Sequence, residues 1–160
     1  MRWRLTFFVT SIGILALVLI FYASQIVYSQ RQKMAEHAYF CLKQASFPID
    51  QLIKTEVYRG TALITTLHVE TSGGTSILFC DEQGSLLETV KEEAIVPEEA
   101  IRRALSTHFP GASLSRLVLG WDFKRPIYEA KVSFADRSFG FVYFDARDGK
   151  RLRSILLPPS

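Results

Sequence analysis

The chain has 160 residues, of which 48% are hydrophobic and 22% are charged, and it carries a formal net charge of +3. This composition is typical of an ordinary folded protein with one or two small domains. Residues 31–160 hold 17 basic and 16 acidic side chains, and this near balance argues against a nucleic-acid partner, which needs a strongly basic face.

The first predicted element is a membrane-spanning helix over residues 5–28. No charged residue lies between Arg4 and Arg31, and a bilayer core of roughly 30 Å needs about 20 apolar residues in a helix. A cleaved signal peptide is the alternative, but its apolar core would span about 7–15 residues. The apolar run here is longer, and Ala23-Ser24-Gln25 is a poor cleavage site. We therefore expect a cytoplasmic stub and an uncleaved anchor at residues 1–30.

The orientation of the anchor follows from the basic residues on its two sides. Arg2 and Arg4 precede the span, whereas Arg31 and Lys33 follow it and weaken the asymmetry. A long following domain can nevertheless translocate regardless of its charge. We expect a single-pass protein of the cell membrane with a cytoplasmic N-terminus, an extracellular C-terminal domain and the lipid bilayer around residues 5–28.

Two further helical segments and eight strands are predicted. Apolar residues recur at helical spacing over 30–45 and 97–108, and each run ends at Phe-Pro, because proline disfavours helix in the residue before it. Apolar runs between glycine and aspartate turn signals predict strands. The predicted strands are 51–58, 61–70, 76–80, 86–91, 114–121, 126–134, 139–145 and 151–156.

The two halves of this pattern resemble each other. At an offset of 62 positions, Ala38 aligns with Ala100, and Phe47-Pro48 aligns with Phe109-Pro110. This predicts an α+β fold of two tandem units, each with one helix packed on an antiparallel sheet. A core of this size is marginal alone, so we expect the units to pack together. Their expected bounds are 31–92 and 93–160.

Neither a catalytic group nor a metal site is recognisable. His37, His68 and His108 stand at no metal-ligand spacing. The chain also lacks a Gly-x-Ser-x-Gly elbow, a phosphate-binding loop and a His-Glu-x-x-His motif. We therefore expect a protein that is not an enzyme and that holds no cofactor or metal.

The two cysteines, Cys41 and Cys80, leave two interpretations open. A bridge between them is permitted outside the cytoplasm and would stabilise the fold by roughly 3–4 kcal/mol, because it closes a loop of about 40 residues. Both can equally be small buried apolar side chains. Spacing does not fix the Cα distance that a bridge needs, and we modestly favour two free thiols.

The second half resembles a PepSY-type module. The resemblance lies in an Ala-rich helix, in the strand with Pro126, Tyr128 and Glu129, and in the Asp-Ala-x-x-Gly-Lys-x-Leu hairpin that starts at Asp145. An anchor followed by two such units is similar to the TseB-like family of Gram-positive bacteria, also called YpmB-like. The first half matches only loosely, since it lacks the Asp-Ala hairpin and has Cys80 in that region.

The resemblance implies a cystatin-like α+β fold, no catalysis and a role in regulating cell wall elongation. It also implies a partner, a class B penicillin-binding protein, which is a membrane-bound wall transpeptidase. Each of these expectations comes from the family resemblance.

We expect the partner surface at Trp121, Lys124, Arg125 and Tyr143, because exposed aromatic rings with arginine are enriched at binding surfaces. The competing interpretation is that these rings fill the interface between the two units. Two other functions stay open. The chain could be a sensor that binds wall fragments or anionic polymer through residues 116–160, which carry 9 basic and 5 acidic side chains. It could also be an inhibitor or modulator of an extracellular peptidase, as the PepSY resemblance suggests.

Overall fold

The computed structural model describes the backbone of residues 2–159. Side chains are described over residues 15–159, except those of residues 16, 26, 30, 31, 33 and 34. The chain divides into two compact units, Met1–Glu36 and His37–Ser160. The predicted domain bounds at 1–30, 31–92 and 93–160 are drawn from the repeat pattern, and they stay a prediction.

The first helix, α1, spans Arg2–Gln44. Among the residues that the structure describes, no helix is long and apolar enough to cross a membrane. The predicted anchor at residues 5–28 falls partly on side chains outside that description, and it stays a prediction.

Two four-stranded antiparallel sheets follow, with the strands of each in chain order. The first sheet consists of β1 (Gln51–Arg59), β2 (Leu63–Thr71), β3 (Gly74–Cys80) and β4 (Leu86–Lys91). A 3-10 helix at Glu92–Ala94 and the helix α2 (Glu98–His108) lead to the second sheet. That sheet consists of β5 (Ser113–Asp122), β6 (Arg125–Ser133), β7 (Phe139–Asp145) and β8 (Arg151–Leu157). The predicted α+β class with antiparallel sheets is confirmed.

The β-bulges of the two sheets fall at matching places. Ile53 is the extra residue of β1 opposite β2, and Ser115, 62 positions later, is the extra residue of β5 opposite β6. Leu87 is extra in β4, and Leu152 is its counterpart in β8. A bulge bends its strand and strengthens the local twist, so both sheets are bent at the same positions.

The two central strands of the first sheet, β2 and β3, are buried on both faces, and the alternation along them decides which core each side chain enters. Leu67, Leu78 and Cys80 face a small core with Ala38 and Cys41 of α1. The intervening side chains belong to a larger core that includes the buried face of α2 and most of the second sheet. These intervening residues are Ile64, Ile77 and Phe79. The first sheet therefore lies between the end of α1 and the second half of the chain.

The cysteines form a disulfide, so the expectation of two free thiols is wrong. Cys41 and Cys80 have their Cα atoms 6.1 Å apart and are bonded to each other, a separation that suits a bridge. Both are fully buried in the small core. The reason for the error is that alternation along β3 points Cys80 at α1 rather than at the other half, which spacing alone does not reveal.

Candidate functional site

The two sheets meet where β1 lies against β5. The ring of Tyr58 is buried and covers Gly120, and a Cβ atom at Gly120 would overlap that ring. Two hydrogen bonds from side chains to backbone carbonyl groups cross the interface. Thr66 Oγ1 of β2 donates to the Leu119 carbonyl of β5 at 2.9 Å, and Arg116 of β5 donates to the Val57 carbonyl of β1 at 2.7 Å. The halves are thus held by both packing and hydrogen bonds to edge-strand carbonyl groups.

Asp122, only 6% exposed, is the centre of this interface. Its carboxylate accepts hydrogen bonds from the Tyr58 hydroxyl at 3.0 Å, from Thr61 Oγ1 at 2.9 Å and from the backbone N–H of Phe123 at 2.8 Å. Burial, together with the hydrogen bond to Asp122, raises the pKa of the Tyr58 hydroxyl well above its ordinary range. A single carboxylate therefore links the first half to the hairpin turn of the second.

That hairpin turn is strained and exposed at once. Asp122 pairs with Arg125, so Phe123 and Lys124 form a two-residue turn, with φ angles of +51° and +58°. Such a turn usually takes Asn or Gly, and a left-handed conformation costs other residues roughly 1–2 kcal/mol each. Phe123 is nevertheless 53% exposed at the tip. Strain of this kind is found preferentially at functional sites.

Arg153 of β8 connects the turn to the face of the second sheet. Its guanidinium carbon lies 5.6 Å from the ring centroid of Phe123 and 4.7 Å from that of Tyr143, within the range of cation–π attraction. The guanidinium group of Arg153 therefore lies between an exposed ring at the tip and a buried ring in the sheet.

Behind Tyr143 lies a buried acid. Glu129 is 7% exposed, and burial raises the pKa of its carboxyl, while a hydrogen bond with Tyr143 and the positive charge of Arg116 act in the opposite direction. Glu129 and Tyr143 line a cavity of about 310 Å³ between the halves, and Arg59 and Arg153 also lie in its wall. The cavity thus combines an acidic group, aromatic rings and two guanidinium groups.

The outermost strand β8 completes this region. All seven of its residues are exposed, including four large apolar side chains. An edge strand has backbone N–H and C=O groups free to pair with another strand. The apolar residues are Leu152, Ile155, Leu156 and Leu157. We call the turn residues Phe123 and Lys124, together with Arg153 and β8, the distal surface.

The four predicted contact residues lie around this surface but do not all face outward. Lys124 is exposed at the turn, and Arg125 forms an ion pair with Asp145 at 3.0 Å. Trp121 is half-buried against Phe79, with ring centroids 5.3 Å apart. Tyr143 is 6% exposed. Trp121 and Tyr143 therefore fill the interior, while contact of any of the four with a partner stays a prediction.

Sequence reasoning missed the residues that organise the site. The strands were expected to end at 121 and to resume at 126, which left residues 122–125 as an unspecified loop. A tight turn was not expected there because neither Phe123 nor Lys124 is a usual residue for left-handed backbone. Arg153 carried no signal other than its charge.

A second cluster of charged side chains lies on the first half. Glu56 accepts from Lys54 at 3.3 Å and contacts His68 Nε2 at 3.1 Å, and Lys54 also reaches Glu98 at 3.2 Å. Burial raises the pKa of Glu56, but the hydrogen bond with His68 and the charge of Lys54 outweigh it, so that the pKa is lowered overall. Among the described residues, no group of three or more His, Cys, Asp or Glu side chains is arranged to hold a metal ion.

Comparison with solved structures identifies a similar fold. The YpmB protein from Bacillus subtilis aligns with a TM-score of 0.63 and 11% identity over 72% of this chain and 90% of that one. The chain has a YpmB-like fold. A candidate lipoprotein from Clostridium difficile 630 aligns with a TM-score of 0.39 and 12% identity, over 66% of this chain and 82% of that one. No protein-family model and no curated protein sequence matches this chain.

The YpmB-like fold agrees with the architecture that the family resemblance implied. At 11% identity this likeness concerns the fold alone. The PepSY and cystatin-like relationship, the role in wall elongation and the transpeptidase partner are expectations beyond it.

Proposed function

We propose that this chain is a membrane-anchored, extracytoplasmic protein that regulates cell wall elongation by binding a class B penicillin-binding protein. In this proposal it is not an enzyme, and its tandem units are cystatin-like modules of the PepSY type. The observation that carries the proposal is the distal surface, where apolar and basic side chains are displayed on a strained turn and on an edge strand.

The apolar helix supports the anchor. Large apolar side chains at successive positions of α1 are exposed, so they cover every side of the helix rather than one stripe. A helix that is apolar all round suits a membrane or a large protein core, and the burial of each such side chain is worth roughly 1.5–3 kcal/mol. The exposed residues include Leu17, Val18, Leu19, Ile20, Phe21 and Tyr22.

The disulfide supports an extracytoplasmic location for the folded part. Disulfides persist in oxidising compartments and are rare where the cytosol keeps thiols reduced. The bond between Cys41 and Cys80 lies in the small core, next to the end of α1. An oxidised core is what a domain held on the outer side of the membrane would contain.

The distal surface supports a protein partner. Phe123 offers an exposed aromatic ring, and Arg153 lies beside it; aromatic and arginine side chains are enriched at the centres of interfaces. The free edge of β8 offers main-chain hydrogen bonds to an added strand, a common mode of peptide recognition. An anchor would raise the effective concentration of this surface near other membrane proteins.

Photo-crosslinking in intact cells tests the proposal. We would place a photoreactive amino acid at Phe123 or at Lys124, and a matched control at Glu82, which is exposed on the β3–β4 turn. We expect a membrane-bound transpeptidase to be captured from positions 123 and 124 but not from 82. Protease treatment of the same cells should digest residues 37–160. Equal capture from all three positions, or no transpeptidase despite an accessible domain, would refute the proposal.

A second candidate function is suggested by the cavity behind Tyr143. Its two guanidinium groups, from Arg59 and Arg153, suit a carboxylate or phosphate of a wall fragment or anionic polymer. A ligand that binds the folded chain raises its melting temperature. We expect no shift with muropeptides or teichoic acid if the protein partner is the sole target, and a shift that Arg153→Ala abolishes if the chain is a sensor.

A further inference from the structure

A large groove lies where the first sheet meets the start of α2 and Tyr128 of β6. It has a volume of about 810 Å³ and is bounded by β1, β2 and β3, by the 3-10 helix and by the start of α2. Its floor consists of the buried side chains Ile77, Ile95 and Tyr128. Large apolar grooves at the junction of two structural units are preferred sites for ligands.

The wall of the groove is held in place before any ligand arrives. The backbone N–H of Val96 donates to the Ala146 carbonyl at 2.8 Å, and the Tyr128 hydroxyl donates to the Val96 carbonyl at 3.0 Å. Lys54 and Glu98, 3.2 Å apart, join β1 to the first turn of α2. A pre-formed groove binds with less loss of conformational entropy than one that must be ordered.

The rim of the groove is acidic and its accessible wall is apolar. Glu92, Glu93 and Glu98 line it, against a single lysine, Lys54. Lys54 is already engaged by two carboxylates, so it does not cancel the charge of Glu92 and Glu93. On the apolar side, Ile53 is the bulged residue of β1 and is 53% exposed.

We infer that this groove binds a basic, apolar polypeptide segment of a partner protein, in which lysine or arginine alternates with large aliphatic residues. The aliphatic side chains pack on Ile53 and on the floor, while the cationic groups lie against Glu92 and Glu93. Charge complementarity selects this occupant over an acidic one, since like charges across an interface are unfavourable. This inference stands apart from the proposed function, which concerns the distal surface.

Binding of defined peptides to the full chain in phosphatidylcholine nanodiscs tests the inference. The probe is a fluorescent acetyl-Leu-Lys-Leu-Lys-Leu-Lys-amide, followed by anisotropy, with empty nanodiscs as the blank. The comparison peptides replace every lysine by glutamate or every leucine by serine. We expect the basic apolar peptide to bind most tightly and its affinity to fall with added salt, because the rim charges are exposed.

Matched variants locate the binding to the groove. Glu92→Gln with Glu93→Gln should raise the Kd about fivefold, since two exposed charge pairs are lost. The control pair Glu82→Gln with Glu88→Gln removes two carboxylates that do not line the groove, and it should leave the Kd unchanged.

A second pair of variants tests the apolar contact. Ile53→Ser should also raise the Kd about fivefold, because part of an aliphatic side chain no longer packs against the peptide. Leu87→Ser changes the other exposed bulge residue of the first sheet, outside the groove, and should have no effect. The inference is overturned if the acidic peptide binds equally well, if no peptide binds the folded chain, or if groove and control variants behave alike. The crosslinking experiment at Phe123 tests the distal surface, and its outcome does not depend on whether the groove binds a peptide.

Discussion

Replacement of Asp122 by alanine should be among the most destabilising single changes to the second half. The change leaves three donors without their acceptor: the Tyr58 hydroxyl, Thr61 Oγ1 and the N–H of Phe123. Of these, the Tyr58 side chain is fully buried. A hydrogen bond to a charged group contributes about 1.5–3 kcal/mol, and an unsatisfied buried donor costs about 1–3 kcal/mol. We expect Asp122→Ala to lower the free energy of unfolding by about 4 kcal/mol.

A double-mutant cycle with Tyr58 isolates the central bond. Tyr58→Phe removes the hydroxyl but keeps the ring on Gly120, and should cost about 1.5 kcal/mol. Once the hydroxyl is gone, Asp122→Ala strands one donor fewer, so the double variant should be more stable than the sum of the two single effects by about 1–2 kcal/mol.

Urea unfolding of the full chain in nanodiscs, followed by near-ultraviolet circular dichroism, measures these differences. An additive cycle, or a loss below about 1 kcal/mol for Asp122→Ala, would mean that the carboxylate does not hold the halves together.

Three further predictions concern other parts of the fold. Cys41→Ser with Cys80→Ser should lower the free energy of unfolding by about 4 kcal/mol, because the bond closes a loop of 39 positions; a reductant should destabilise the native chain and leave the double variant unaffected. Gly120→Ala should cost at least about 1–3 kcal/mol in thermal unfolding, since the new methyl overlaps the Tyr58 ring, and an unchanged melting temperature would contradict that contact. Burial raises the pKa of Glu129 above 4.5 in the folded chain, so folding favours the protonated carboxyl. The free energy of unfolding is therefore highest below the unfolded pKa of this group and falls as the pH rises through its folded pKa. The free energy of unfolding of Glu129→Gln should therefore increase relative to that of the native chain from about pH 4.5 upward. If the difference between the two does not vary with pH, the pKa of Glu129 is not raised by folding.

The sheets were predictable because alternation and turn signals occur together. Tyr128, Ala130 and Val132 recur with period two and are buried as that pattern predicts, but Glu129, which the pattern places on the exposed face, is buried as well. The resemblance of the halves also followed from the Phe-Pro helix ends at 47–48 and 109–110. Periodicity depends only on residues that are close together in the chain, so it can be read directly from the sequence.

The candidate site depends on relations that are not local. Phe139, Phe141 and Tyr143 make both faces of β7 apolar together with Val142 and Phe144, so alternation alone does not tell which face meets the other half. Tyr143 was expected at the surface and lies inside. The prediction of two free thiols at Cys41 and Cys80 was wrong for the same reason, because the bond depends on which faces of α1 and β3 meet.

The contact between Tyr58 and Gly120 has a consequence for how the two repeats recognise each other. These residues stand 62 positions apart, which is the same offset that relates the bulges of β1 and β5. They are therefore equivalent positions that touch across the junction. Two identical repeats would bring either two rings that collide or two glycines that leave a void. Divergence at this position lets the ring of the first half pack on the bare backbone of the second, so that the two halves fit each other better than either would fit a copy of itself.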